Sequence, residues 1–64
     1  MVYIKEKGTP LYVATHIDGG GMSAWLTRDI AEADTFADIA AAKSFITRLK
    51  ERYPESEFEV WSRP

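Results

Sequence analysis

The chain has no cysteine and a single histidine, His16. The first absence excludes disulfide staples and thiolate metal sites, and one histidine among scattered carboxylates does not make a conventional zinc site. No apolar run approaches the ~20 residues needed to span a bilayer, and the opening MVYIKEK has no apolar stretch of the secretory-leader kind. A dominant charge is also missing. Ten acidic and eight basic residues are interleaved, for a net charge of −2, which argues against gripping duplex phosphates by bulk charge. These absences lead to the expectation of a soluble cytoplasmic protein without metal or cofactor.

What remains is an ordinary globular composition, 45% hydrophobic and 28% charged over 64 residues. A single domain over residues 1–64 is expected. A chain this small buries only ~60% of its unfolded surface. With staples excluded, it depends on efficient packing or on association.

Two segments alternate with period two, the signature of half-buried strands. In VYIKEK, Val2 and Ile4 oppose Tyr3, Lys5 and Lys7; in LYVATHI, Leu11, Val13, Thr15 and Ile17 oppose Tyr12, Ala14 and His16. A two-residue type II′ turn at Gly8-Thr9 would pair Lys7 with Pro10, Ile4 with Val13 and Val2 with Thr15. SAWLT reads as a third short strand, and RDIAEADTF as one or two helical turns capped by Asp29 with Glu32 three residues on. The main helix is expected from Asp38 as N-cap, with Ile39, Ala42, Phe45, Ile46, Leu49 and Tyr53 in one apolar stripe and Pro54 ending it. EFEVWSR alternates again, with Phe58 and Val60 inward and Glu59, Trp61 and Arg63 outward. The expected class is α+β: a small antiparallel sheet of three to four strands with one main helix on one face, in the order β-β-(β)-α-β.

Gly19-x-Gly21-x-x-Ala24, with Asp38 nearly 20 residues on, matches the dinucleotide-binding fingerprint, and Met22, Trp25, Leu26 and Ile30 have helical spacing. That motif needs a helix N-terminus inside a doubly wound sheet, which 64 residues cannot supply. DGGG is therefore read as a turn in which glycine supplies positive φ. No constellation for catalysis converges either. His16 has no partnered serine motif, and Glu55, Glu57 and Glu59 read as a charged strand edge rather than an acid–base pair. A non-enzymatic role is expected.

The outward sheet face is more informative. Tyr3, Tyr12, His16 and Trp61 fall there, with Lys5, Lys7 and Arg63 among them. Such a face can anchor a protein partner, where Tyr, Trp and Arg are enriched. It can also stack unpaired bases, or simply reflect the preference of aromatics for strands. Trp25, beside Leu26, is read as core.

Together, Tyr3-Ile4, Leu11-Tyr12-Val13, Trp25-Leu26-Thr27, Asp29 through Ala33 and Phe36, Ala42 through Leu49, and Phe58 through Trp61 resemble a family type. It is that of small uncharacterised domains encoded by phages and prophages. The resemblance covers nearly the whole chain, mostly at core positions. It implies an accessory protein that binds and modulates a host protein, a class that includes anti-CRISPR-type inhibitors of defence systems.

The resulting expectation is a binding module whose partner is a host protein. Tyr3, Tyr12 and Trp61 would be its anchors, and Lys5, His16 and Arg63 would give polar specificity. A single-stranded nucleic-acid platform on the same face is the alternative, and a homodimer through that face is a third reading. No membrane partner is expected.

Overall fold

The computed structural model describes residues 1–63, with the side chains of Ile17, Asp18 and Met22 outside the description. Four strands and one helix follow in the order β1 (Val2–Glu6), β2 (Tyr12–Asp18), β3 (Gly21–Thr27), α1 (Ile39–Arg52) and β4 (Phe58–Ser62). All strand pairs are antiparallel, and the sheet order is β3-β2-β1-β4. The expected α+β class with one helix against the sheet is the observed one. No helix among the described residues is long and apolar enough to cross a membrane.

β1 and β2 meet at Lys5↔Tyr12, the register that opposes Ile4 to Val13. The connection, however, is not a type II′ turn. Thr9 N–H donates to Glu6 O at 3.2 Å, with Gly8 at φ +80 in the third position of a type II turn. The hairpin's backbone bonds then resume at Glu6 N–H to Leu11 O, 2.9 Å. Pro10 is the reason. A two-residue turn needs its N–H to close the Lys7–Pro10 pair, and proline has none.

The ladder then stops after Lys5↔Tyr12. Val13 O accepts from Asp34 N–H at 3.1 Å, Val2 O accepts from Phe36 N–H at 2.9 Å, and Val2 bridges Phe36. Residues 34–36 thus sit as a wedge where β1 and β2 part, and the Thr15 hydroxyl donates to the Asp34 carboxylate. RDIAEADTF is accordingly not a helix. Glu32 N–H to Asp29 O and Ala33 N–H to Ile30 O make tight turns, and the Asp29 carboxylate accepts from Ala31 N–H, one residue nearer than a capping box requires. Burying Phe36 against Phe45, with ring centroids 5.5 Å apart, competes with continuing a helix there.

α1 begins where its cap predicts: Asp38 is extended and its Oδ1 accepts from Ala41 N–H at 2.8 Å. Lys50 and Arg52 lie in the last turn, where the dipole favours them, and Tyr53 caps the end before Pro54. The helix seats Ala42 and Leu49 on Ile4 and Val13, with Phe36, Phe45, Ile46, Phe58 and Val60 packed around them. Ile39, placed in the stripe by its spacing, is 50% exposed, whereas Ala42 in the same turn is buried. Asp38→Ala removes one capped N–H and is expected to cost about 1 kcal/mol. The check is a lower urea midpoint with unchanged slope, largely restored in Asp38→Ser.

Candidate functional site

The outer face is built by register. Lys5 lies between Tyr12 on β2 and Glu59 on β4, and Tyr3 pairs with Trp61. From the two flanking strands, Tyr12 and Trp61 lean over β1 until their ring centroids are 5.6 Å apart. Tyr3 lies 6.0 Å from the first and 5.8 Å from the second. The three rings are mutually tilted by 48° to 62°, the Tyr3–Tyr12 pair edge-on, and well-oriented aromatic pairs are worth roughly 0.5–1.5 kcal/mol beyond area burial. Lys5 Nζ stands 5.9 Å from the Tyr12 centroid and 6.0 Å from that of Trp61, close enough for cation–π attraction of about 0.5–1 kcal/mol.

Tyr3 is on the expected face and only 5% exposed, packed beneath the rings of Tyr12 and Trp61. Its hydroxyl reaches the Met1 sulfur at 3.5 Å. His16 is exposed and pairs with Ser23, roughly 13 Å along β2 from Tyr12 at 3.3 Å per residue. Arg63 is exposed just past β4, its backbone bonded to Met1. These two do not join the cluster. Lys7 leaves the face altogether: it lies in the turn, with its N–H on Glu57 O, beside Lys50 and Ile46 on the helix side. The structure therefore gathers Tyr3, Lys5, Tyr12 and Trp61, with His16 and Arg63 outlying.

The structure corrects the expectation of a core Trp25. The residue pairs with Ala14, on the face of Tyr3, and is 44% exposed; its neighbour Leu26 is 38% exposed. The signal was present in the glycines. Turning at Gly19–Gly20 fixes Asp18 opposite Gly21 and, by alternation, Trp25 opposite Ala14. Gly21, at φ +113, opens a strand and not a helix, so the helix N-terminus that a dinucleotide needs is absent from that motif. The connection is a turn, as read.

On the opposite face an open groove of about 130 Å³ runs between β3 and the end of α1, walled by Val13, Leu26, Leu49, Tyr53 and Phe58. Its lining holds no titratable group besides Tyr53. Among the described residues no three His, Cys, Asp or Glu side chains converge as a metal site. Comparison with known proteins gives no match to a family model, to a curated protein or to a solved structure.

Proposed function

We propose that the chain is a non-enzymatic binding module that docks on a protein partner through the aromatic face of its sheet. The observation that carries this reading is the arch of Tyr12 and Trp61 over buried Tyr3. Interlocked, tilted rings hold one shape, so little side-chain freedom is lost on docking, as an interface anchor requires. Nucleobase stacking is disfavoured by the same geometry. A base needs an open ring face, whereas Tyr12 and Trp61 tilt towards each other over Tyr3, with the Lys5 ammonium near both rings. The phage-domain resemblance gives the module a context: an accessory protein of a phage or mobile element that modulates or inhibits a host protein, components of defence systems such as CRISPR–Cas among them.

The test is capture of partners from bacterial lysate by the tagged chain, with and without nuclease, beside Tyr12→Ala/Trp61→Ala. A discrete protein should survive nuclease, and the double variant should retain at least tenfold less of it with its helical circular dichroism intact. Undiminished capture by the folded double variant would overturn the assignment of the face. Loss of captured material to nuclease would transfer it to single-stranded nucleic acid.

A further inference from the structure

We propose that the free edge of β3 pairs antiparallel with β3 of a second copy of this chain, joining two sheets into one. Pairs alternate from Asp18↔Gly21, next to the two-residue turn, so Gly21, Ser23, Trp25 and Thr27 direct their backbone groups to β2. The far side of β2 agrees with this phase, since Leu11 and Val13 use their carbonyls away from β3, on Glu6 and Asp34. Met22, Ala24 and Leu26 consequently turn N–H and C=O to the open side. Within the described chain no backbone or side-chain group meets those of Ala24 or Leu26.

Edge strands are ordinarily blunted by charge or proline, and β3 has neither between Gly21 and Thr27. A second copy fits this strand for two reasons. Being uncharged, it can lie against itself without opposing like charges. β4, the other edge, contains Glu59 with Glu57 just before it, and would crowd carboxylates in a self-pair. The sequence is also complementary to itself in size about Ala24: Trp25 falls opposite Ser23 of the other copy and Thr27 opposite Gly21. Ala24 would exchange both backbone bonds with its own copy, and Met22 with Leu26. The pairing covers Trp25 on one face and Leu26 on the other, which are two of the exposed large apolar residues. It also adds cover to a chain whose core cluster, among the described residues, centres on Ile4, Val13, Ala42 and Leu49.

Sedimentation equilibrium of the full chain from micromolar to millimolar concentration should show the 7.2 kDa species converting to one of twice that mass. Ala24→Pro removes an outward N–H without touching the β2 ladder, and should weaken association at least tenfold while circular dichroism stays native. Ala24→Cys gives an independent reading that does not need the proline variant to fold. Paired residues at this position lie ~5.5 Å apart between Cα atoms, within disulfide reach, so mild oxidation should yield a symmetric covalent dimer, with Glu59→Cys remaining monomeric. A monomer at every concentration would overturn the proposal. So would oxidative coupling equal at both cysteines, or a dimer lost in Tyr12→Ala/Trp61→Ala but kept in Ala24→Pro.

Discussion

Leu49→Ala is expected to remove about half of the domain's stability. Leu49 is 1% exposed and packs in the cluster of Ile4, Val13 and Ala42, where α1 meets the sheet. Truncating a buried leucine costs about 2–5 kcal/mol, the upper end applying where neighbours cannot collapse into the space. Here the neighbours are strand residues held by the ladder, and Ala42 is too small to fill the gap. A 64-residue chain at 0.05–0.15 kcal/mol per residue has about 3–10 kcal/mol in all. Urea unfolding followed by helical circular dichroism should show the midpoint falling by roughly half, whereas Leu49→Met should cost less than about 1.5 kcal/mol. Ile39→Ala, on the exposed first turn, should cost ~0.5 kcal/mol. Equal midpoints for Leu49→Ala and Ile39→Ala would mean that the helix is not seated through Leu49.

The second large effect falls on the other side of the sheet. Tyr3→Ala is expected to cost about 3 kcal/mol, at the low end of the range for large aromatics, and to abolish partner capture. Tyr3→Phe should change neither by much. Tyr3 is buried by two rings that meet above it, so its removal takes away both their contact and their support. Its hydroxyl contributes little, because the Met1 thioether is a weak acceptor. Thermal melts and capture assays on both variants decide it. A phenylalanine variant as damaged as the alanine one would assign the role to the hydroxyl and not to packing.

Local chemistry made much of this fold legible. Asp38 and Pro54 bracket the helix as capping and steric rules require. The strand alternation located β1, β2 and β4 and fixed how β1 faces β2, whereas β3 was legible only as a shorter strand over SAWLT. One difference came where a tertiary contact overrode a local preference. Asp29 and Glu32 have capping-box spacing, yet the segment is drawn into the sheet because Phe36 reaches the core and Asp34 finds the free Val13 carbonyl. At Gly8 the glycine was recognised, but the proline two residues later forbade the turn assigned to it. The site divides in the same way. Lys5, Tyr12 and Trp61 share a face because the period is two, which a sequence displays. That Tyr3 sinks beneath its neighbours depends on which strands flank β1, and strand order is not a local property. The register of Trp25 follows from the Gly19–Gly20 turn, which sets it opposite Ala14.

The wedge at residues 34–36 also governs the order in which this chain can assemble. β2 and β3 are joined by two residues, so that hairpin closes a short loop and can zip early. β1 has its main partner at the opposite end of the sequence, in β4, and Val2 waits for Phe36 to return from beyond β3. Most of its pairing therefore carries a large loop-closure entropy before any contact repays it. The native topology should make folding slower than the chain's length alone suggests, with the β1–β4 pair the last part of the sheet to be locked in place.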